Sequence, residues 1–529
     1  MPTSVIIGSG PGAAGAAMAL ARDPKQQIIV LDIGGELEAD RKEVRDALAA
    51  APEAEWLESA VRAISHQPVS ADKGALPEKR AYGSDFPFRD VGQLAGVQAI
   101  GKANRSVVSG AYGGFSNVWG AQIMPFSAAT FDRWPIASEE MDPHYRFALD
   151  EMTLTGDEDD LSALFPLLIS ARPLPKLADR TRKVLDRYQS KRAYVQSLGI
   201  TLGRARLAMR SEDCSKCGLC MTGCPYELIY SASHTFDRLR AMGRIKYRSG
   251  VMALKLAEID SIPHVDVRDL QTERVERISA DRIYVACGGI GTTRLVLSSL
   301  GLYGRAVELG ESVQFVMPAL SKSPTTDPRR ERDFTLNQFN VVYDVSGDGF
   351  DLCQIHFYPY NPVFETSLPR VMQHPMAKPI ATALLRRVSV GLGYIPSWAS
   401  PKVKVTAYAR PEGSLPELVV DREPSSGWPP MLRSMSQALM RAAPSLDLWP
   451  ILPMTTVSPA AKSYHFGGSF PHSDTRSGLG TDRLGRLDRW NSIHLVDASV
   501  FPNVPATTFT LTIMANAHRI ATESLRQTM

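Results

Sequence analysis

Four of the six cysteines in this 529-residue chain fall within a stretch of eleven residues. They follow the pattern Cys-x-x-Cys-x-x-Cys-x-x-x-Cys-Pro, which is typical of bacterial ferredoxin segments that bind an iron–sulfur cluster. Zinc sites usually separate two cysteine pairs by about a dozen residues, so the spacing favours a cluster over zinc. The predicted ligands are Cys214, Cys217, Cys220 and Cys224.

The fourth ligand of this cluster needs a separate argument. In two-cluster ferredoxins the last cysteine of such a motif binds the other cluster, and this chain has a single motif. Cys287 and Cys353 are the only other cysteines, and Cys287 ends an apolar run typical of a buried strand. Six cysteines are too few for a disulfide framework in so long a chain, which favours a reducing compartment.

A second pattern, Gly-Ser-Gly-Pro-Gly-Ala from Gly8 to Ala13, follows a strand-like run and opens a helix-like run. Gly8 permits a tight turn, and Gly10 lets the backbone approach a pyrophosphate at the helix N-terminus. Asp32 ends the next predicted strand, where a carboxylate accepts hydrogen bonds from ribose hydroxyls. Because strand, helix and acidic residue are in register, the pattern predicts dinucleotide binding.

His465 is the candidate acid–base residue and lies just before two glycines near the C-terminus. An isolated histidine is more often structural than catalytic. A catalytic role is favoured by the C-terminal sequence, in which the segment from Asp497 to Pro502 leads to a predicted helix from Thr510. A neutral imidazole accepts a proton near pH 7, so it suits the oxidation of an alcohol.

The elements that must position these residues alternate between strand and helix at both ends of the chain. Between about residues 301 and 455, period-two apolar patterns with frequent prolines predict an antiparallel sheet. We therefore predict an α/β fold, α+β overall, in which a Rossmann-like domain carries an inserted antiparallel-sheet domain and a ferredoxin-like cysteine segment.

Composition excludes several other classes of protein. Hydrophobic residues make up 44% and the net charge is +3, so nothing favours a nucleic-acid or membrane-surface partner. Neither a leader peptide nor an apolar run long enough for a transmembrane segment is present, which predicts a cytoplasmic protein. Export in the folded state with a partner subunit stays open.

Together these motifs resemble the glucose–methanol–choline (GMC) family of FAD-dependent oxidoreductases, over both ends and the middle of the chain. The loop from Gly113 to Gly120 is similar to the family's flavin-contacting loop, and the predicted strand from Lys246 to Leu256 to its adenine-contacting strand. The FAD contacts that the resemblance implies are Gly8, Gly10, Gly12, Ala13, Asp32, Gly113, Gly114, Ser116, Asn117, Val251, Gly288, Asp497 and Ala498.

The resemblance also implies the catalytic residues, with His465 as the base. Where the family has a second catalytic His or Asn, this chain has Thr508, whose hydroxyl forms hydrogen bonds but does not titrate near neutral pH. Some members attach FAD through a histidine of the flavin loop. This chain has Val118 there, so the expected FAD is non-covalent.

The cysteine segment resembles that of bacterial FAD-dependent sugar dehydrogenases of the glucose dehydrogenase catalytic-subunit type. Three cysteines suffice there for a three-iron cluster, and the matching positions are Cys214, Cys220 and Cys224, so Cys217 is an added ligand and implies 4Fe–4S. The expected activity is oxidation of a CH–OH group in a sugar, sugar derivative or polyol. The electrons would pass through the cluster to a one-electron acceptor protein, quinone or cytochrome.

Three alternatives stay open at this point. The chain could be an FAD oxidase that makes hydrogen peroxide and uses the cysteines structurally. It could instead be a non-catalytic electron-transfer flavoprotein subunit. The threonine at position 508, where the family has a catalytic His or Asn, favours this alternative. A redox-neutral flavoenzyme such as an epimerase is the third.

The resemblance divides the chain into five predicted parts. These are residues 1–135, the first part of the FAD domain; 136–205, a helical and loop connection; 206–300, the iron–sulfur segment and second part of the FAD domain; 301–455, the antiparallel-sheet substrate domain; and 456–529, the third part of the FAD domain with the catalytic histidine.

Overall fold

The structure is a computed structural model that describes residues 1–65, 80–89, 97–99, 108–361, 374–411, 415–458 and 463–527. Among these residues, no helix combines the length and the apolar content needed to cross a bilayer.

The described helices are α1 Pro11–Leu20, α2 Ala39–Ala50, α3 Glu58–Ser65, α4 Ser138–Glu151, α5 Asp179–Ser190, α6 Arg192–Ser197, α7 Ala232–Ala241, α8 Gly288–Leu300, α9 Lys378–Leu385, α10 Trp428–Leu446 and α11 Thr510–Arg526. The described strands are β1 Thr3–Ile7, β2 Gln27–Leu31, β3 Val97–Ala99, β4 Leu154–Thr155, β5 Ile200–Arg204, β6 Leu207–Ala208, β7 Lys246–Arg248, β8 Val251–Ile259, β9 Ile262–Asp269, β10 Val275–Ser279, β11 Arg282–Val285, β12 Ala306–Glu311, β13 Val313–Leu320, β14 Phe339–Asp344, β15 Leu352–Tyr358, β16 Val388–Ile395, β17 Lys402–Tyr408, β18 Glu417–Glu423, β19 Trp449–Pro450, β20 Thr456–Val457, β21 Phe466–Gly467 and β22 Ile493–Leu495.

A five-stranded parallel sheet in the order β22-β11-β1-β2-β7 unites the two ends of the chain. Its central strand β1 consists mainly of β-branched residues that are almost fully buried, as expected for a parallel sheet covered on both faces. Helix α1 follows β1 and packs closely against α11, because a Cβ on Gly15 would lie 2.2 Å from the carbonyl oxygen of Met514. This glycine is therefore required for the contact between the two helices.

Two further sheets form the predicted antiparallel part. The larger is seven-stranded and follows the path β19-β13-β16-β15-β14-β5, with β20 paired to β13 and all pairs antiparallel. The other has the order β21-β12-β17-β18-β3, with one parallel pair, β18 with β3. The predicted fold class, a Rossmann-like parallel sheet with inserted antiparallel sheets, is confirmed.

Strands from outside residues 301–455 also join these antiparallel sheets. β5 pairs with β14 in the seven-stranded sheet, and β21 pairs with β12 in the five-stranded sheet. His465 directly precedes β21, so the pairing with β12 holds the histidine at the boundary between the parallel and antiparallel parts. The domain boundaries themselves stay a prediction.

The predicted strand from Lys246 to Leu256 is wrong as a single element. It divides into β7, which ends the parallel sheet, and β8, which pairs with β9 in a three-stranded antiparallel sheet. Gly250 separates them with φ of +71°, a left-handed conformation that favours glycine. The predicted strand ran across Gly250, although a glycine inside a strand pattern is itself a signal of a break or bulge.

Candidate active site

The candidate site is a cleft at the carboxyl ends of four parallel strands. Gly8 follows β1, Asp32 follows β2, Gly288 lies just beyond β11, and Asp497 lies just beyond β22. Ligands of open parallel sheets bind at this edge. Of the predicted site residues, the structure brings the following into the lining of one cleft: Gly8, Gly10, Gly12, Asp32, Gly114, Ser116, Val251, Gly288, His465, Asp497 and Ala498.

Two glycines of the first turn have different structural roles. Gly8 has φ of +104°, and a Cβ there would lie 2.5 Å from the carbonyl oxygen of Ala286. Gly10 has an ordinary φ, and a Cβ there would meet no described atom within 4 Å. Gly8 is therefore needed for the turn itself, whereas the space beside Gly10 is open to a ligand.

Two side chains hold the carboxylate of Asp32 in place. Ser9 donates a short hydrogen bond to its carboxylate, and the Tyr247 hydroxyl donates another at 2.9 Å. Both bonds reach Oδ2. Burial raises the pKa of Asp32 to about 6, and the hydrogen bonds from Ser9 and Tyr247 limit that rise by favouring the charged form. These bonds fix the carboxylate at the edge of the cleft.

The flavin-like loop lies directly against the glycine turn. The amide of Gly113 donates to Ser9 Oγ at 2.9 Å, and a Cβ on Gly114 would lie 3.4 Å from the Cα of Gly10. Both loop glycines have positive φ, +89° and +59°. The loop and the turn thus form one continuous backbone surface.

Not every predicted contact lies in the cleft lining. Asn117 donates to the carbonyls of Tyr112 at 2.9 Å and Gly114 at 2.8 Å, so its amide holds the loop in place. Ala13 is fully buried in the helix core. The positions outside the lining are Ala13, Gly113, Asn117 and Thr508.

Asp497 is held at the N-terminal end of helix α8. Thr292 donates a short hydrogen bond to its carboxylate, and the amide of Ser499 donates at 2.9 Å. The residue is 4% exposed, and burial raises its pKa. Its position beside Gly288 is consistent with the predicted role near a ribityl chain or a pyrophosphate.

His465 faces the cleft from the antiparallel side. Its ring stacks on Tyr394 with centroids 4.4 Å apart and contacts Phe509 edge-on at 4.8 Å. Its Nδ1 has no hydrogen-bond partner among the described residues. Burial, with a smaller contribution from nearby His356, lowers the pKa of His465 to about 3. The imidazole is therefore neutral at pH 7, and burial disfavours its protonated form.

Thr508 is buried, and within the described part of the chain its hydroxyl also lacks a partner. It precedes Phe509, whose ring touches His465. A buried hydroxyl without a partner is costly, so such atoms in native proteins usually meet a water or a ligand.

Arg294 is a cleft residue that sequence reasoning missed. It lies in the apolar helix α8, is 6% exposed and donates through Nη2 to the carbonyl of Ala253 at 2.8 Å. Its Nη1 has no partner among the residues described, and burial lowers its pKa. A cation in an otherwise apolar helical run was the available signal, because a buried arginine requires a partner.

The cysteine segment folds as a series of tight turns. Lys216, Gly218 and Gly223 have positive φ of +60°, +80° and +119°. The amide of Thr335 donates to the sulfur of Cys220 at 3.3 Å. The turns keep the thiols in one small region, in which burial is the main cause of the shifted thiol pKa values.

The pKa of Cys217 is raised to about 11 and that of Cys224 to about 12. In both, the charge of the neighbouring Cys220 thiol adds to the effect of burial. Across the described ranges, no three His, Cys, Asp or Glu side chains are arranged to hold a metal ion. The four cysteines of the predicted iron–sulfur motif therefore do not form a preformed metal site in the described part of the chain.

A polar cavity lies between the cysteine segment and the cleft. Cys220 and Cys224 line it, together with charged side chains of α2 and α7. Ser116 and Trp119 line both this cavity and the cleft, so they form the wall between them. Trp119 is fixed there by a hydrogen bond from its indole N–H to the carbonyl of Tyr230 at 2.9 Å.

Comparison with known proteins gives a structural match and no sequence match. Neither a protein-family model nor a curated protein matches this sequence. Among solved structures, the chain is similar to pyridoxine 4-oxidase from Mesorbium loti, with a TM-score of 0.61 and 14% identity over 99% of each chain. At this identity the likeness concerns the fold, and this chain shares the overall fold of that oxidase from end to end.

Proposed function

We propose that this chain is an FAD-dependent oxidoreductase of the GMC family that oxidises a CH–OH group to a carbonyl. The observation that carries the proposal is the position of His465. Its neutral ring, with Nδ1 unpartnered among the described residues, faces a cleft formed by a dinucleotide-type glycine turn and two anchored carboxylates.

The cleft residues fit FAD in kind and in arrangement. Gly10 leaves open space for a phosphate group at the start of α1, and Asp32 presents an oriented carboxylate to a ribose. Arg294 Nη1 is a buried donor without a partner among the described residues. These residues, with Val251 and Asp497, would hold the dinucleotide without a covalent bond.

When bound, FAD supplies the acceptor for the hydride that leaves the alcohol carbon. His465 removes the hydroxyl proton, because loss of hydride alone would leave a high-energy protonated carbonyl. Thr508 donates or accepts one hydrogen bond and so orients the substrate oxygen. The stacked Tyr394 and the edge-on Phe509 fix the plane of the imidazole and shield it from water.

The finer proposal adds a 4Fe–4S cluster held by Cys214, Cys217, Cys220 and Cys224. The ferredoxin-type spacing and the four thiols on one turn-rich segment support it. Such a cluster would supply one-electron transfer to an acceptor protein, quinone or cytochrome. The substrate is then a sugar, sugar derivative or polyol, as the resemblance to sugar dehydrogenases implies.

A second candidate is an FAD oxidase that passes its electrons to oxygen and makes hydrogen peroxide. The observation that favours it is the end-to-end fold similarity to a protein whose name is that of an oxidase. The cysteine segment would then be structural. The two candidates share the cleft and His465, and they differ in the role of the cysteines.

The deciding experiment is anaerobic purification followed by iron, sulfide and FAD analysis, with electron paramagnetic resonance before and after dithionite. About four irons per FAD, paramagnetic when reduced, establish the cluster. About three irons with a signal in the oxidised state would mean that Cys217 is not a ligand, or that the cluster has lost an iron. FAD without iron, with peroxide formed at the rate of alcohol turnover in air, establishes the oxidase. A protein that binds no FAD would contradict both.

A further inference from the structure

Strand β15 presents two chemically different faces. Cys353, Ile355 and Phe357 pack into the core formed with α5 and α10. Side chains alternate along a strand, so Gln354 and His356 point to the opposite face. We call these two residues the polar face of β15. Both are almost fully buried, 1% and 2% exposed.

The polar face lies on the same side of the sheet as the catalytic histidine. The ring of His356 is 5.4 Å from that of Tyr394, and Tyr394 in turn stacks on His465 at 4.4 Å. Gln354 pairs with Tyr394 in the β15–β16 ladder. The polar face is therefore one aromatic ring away from the proposed base.

The polar face also approaches the segment that follows the flavin-like loop. Gln354 Nε2 lies 3.5 Å from the sulfur of Met124. Farther along the strand, the hydroxyl of Tyr358 lies close to Gly120, where an added Cβ would be 3.2 Å from it. The polar face is thus placed between the catalytic histidine and the end of that loop.

Two atoms of the polar face lack partners. Neither Gln354 Oε1 nor His356 Nε2 forms a hydrogen bond with any described residue. An unsatisfied buried group is unfavourable, so native proteins rarely keep two of them in adjacent alternate positions without a partner. His465 Nδ1 and Thr508 Oγ1 are unsatisfied in the same region. Gln354 Oε1 and His356 Nε2 therefore remain available to a polar ligand that reaches the polar face.

We propose that Gln354 and His356 bind substrate polar groups other than the reacting hydroxyl, and so select a compact alcohol with further hydroxyl or polar ring substituents. Gln354 Oε1 accepts a hydrogen bond from such a group, and the imidazole of His356 donates or accepts one according to its tautomer. The inference rests on the proposed function, since it requires that His465 acts on an alcohol.

The electrostatics are consistent with this role. Burial lowers the pKa of His356 to about 3, so the ring is neutral at pH 7. Tyr394, between the histidines, is itself held by a hydrogen bond from Gln314 at 3.0 Å. The site thus offers neutral hydrogen-bonding groups, which suit hydroxyls better than carboxylates or phosphates.

The test uses the variants His356→Leu and Gln354→Met, with His356→Gln as the conservative variant and Ile355→Val as a control on the opposite face of the same strand. The probes are D-glucose, glycerol and pyridoxine as polar alcohols, and benzyl alcohol and 1-hexanol as apolar ones. Flavin reduction by each probe is followed anaerobically, and FAD content and thermal unfolding are measured for every protein.

For the polar probe that reduces the wild-type flavin, we expect the two apolar variants, His356→Leu and Gln354→Met, to lower kcat/KM at least tenfold. The loss should come mainly from a higher KM. Apolar probes should be unaffected or improved. The melting temperature of the His356→Leu and Gln354→Met variants should stay equal or rise, since an unsatisfied buried group is replaced by an apolar one. The His356→Gln variant should recover part of the loss, and Ile355→Val should match the wild type in kcat/KM, with the small loss of stability expected when a buried methylene is removed.

The remaining outcomes are distinguishable. Equal losses for polar and apolar probes, or a lowered melting temperature in both apolar variants, would mean that the polar face is structural and would overturn the inference. Wild-type reduction by apolar alcohols alone would also overturn it, while leaving the proposed function intact. If no alcohol of either kind reduces the FAD-loaded wild type, the proposed function fails and the inference fails with it.

Discussion

The cleft and the cysteine segment reach their chemistry by opposite routes. The cleft draws Gly8, Asp32, His465 and Asp497 from both ends of the chain to one edge of a parallel sheet. The cysteine segment needs only eleven consecutive residues and local turns. The convergence of distant residues supports the cleft as a functional site more strongly than motif spacing does. Residues that match a motif by chance would not all lie in one cleft of the folded chain.

The two regions also differ in how their polar groups are satisfied. In the cleft, both carboxylates are anchored by named donors, while the imidazole and the Thr508 hydroxyl lack partners among the described residues. In the cysteine segment, the thiols are mostly buried and lie close enough to affect one another's pKa, without single-ion geometry. The cleft is therefore arranged for a ligand, and the chemistry of the thiols depends on the group that they bind.

The largest expected effect is on the iron content of the cysteine segment, where loss of one ligand should remove all of the iron. Replacing Cys220 with Ser should remove the iron and its absorption, because a hydroxyl is a poor substitute for a thiolate ligand. FAD content should stay unchanged. The measurement is iron and sulfide per FAD after anaerobic purification.

Cys353→Ser is the matched control for this prediction. Cys353 is buried in the seven-stranded sheet, away from the motif, and should keep full iron. Equal iron in the Cys220→Ser variant and the wild type would contradict the proposed ligand set. Absence of iron from both would leave the segment structural and favour the oxidase.

The cleft side is tested by His465→Ala, with an expected fall of 10²–10⁴-fold in the rate of flavin reduction by an active alcohol, equivalent to about 3–5 kcal/mol of transition-state stabilisation. The general base is lost while the anchors of the dinucleotide remain. Stopped-flow absorbance under anaerobic conditions gives the rate, and FAD content verifies loading. A rate within a factor of three of the wild type would show that another group takes the proton.

The sequence predicted the cleft well because its motifs encode backbone requirements. A glycine whose Cβ would strike a carbonyl, as at Gly8, or an acidic residue at a strand end, as at Asp32, is dictated by local geometry. The fold class followed from the periodicity of strands and helices for the same reason. Turn glycines, acidic residues at strand ends and the periodicity of helices and strands can all be recognised in short stretches of sequence.

The rest depends on contacts between distant residues. The stacking of Tyr394 on His465, the buried Arg294 and the alternation that places His356 beside Tyr394 arise from sheet register and packing. The break at Gly250 was missed because the prediction joined the run from Lys246 to Ser249 to the apolar run that follows the glycine. Asn117, predicted to contact the flavin, also donates hydrogen bonds within its own loop, which sequence spacing does not reveal.

Two glycines of the turn allow folding and cofactor binding to be separated. Gly8→Ala should destabilise the apoprotein by about 3 kcal/mol, because it combines a positive φ with a clash against the Ala286 carbonyl. Gly10→Ala should leave apoprotein stability unchanged, since its Cβ meets no described atom, and should weaken FAD binding by occupying the phosphate space. Thermal unfolding of the apoproteins and FAD titration give the two readouts. Equal FAD affinity in Gly10→Ala and wild type would place the phosphates elsewhere.

Acid sensitivity gives the smallest difference between the two regions. Burial lowers the pKa of His465 in the cleft to about 3, and it also lowers the pKa of His234 at the polar cavity, where the charge of Glu227 acts in the opposite direction. Below the ordinary histidine pKa of about 6.5, the unfolded chain binds a proton that the folded chain refuses, so stability is fully present above that pH and falls as pH drops toward 3. Each such histidine contributes at most about 1.4 kcal/mol of stability loss per pH unit in that window.

His465→Asn should therefore flatten the fall in the urea unfolding midpoint between pH 6 and about 4. His234→Asn should flatten it less, because the charge of Glu227 partly offsets the effect of burial on the pKa of His234. A larger effect at His234 would mean that the cavity beside the cysteines excludes water more strictly than the cleft does, which would reverse the comparison between the two regions.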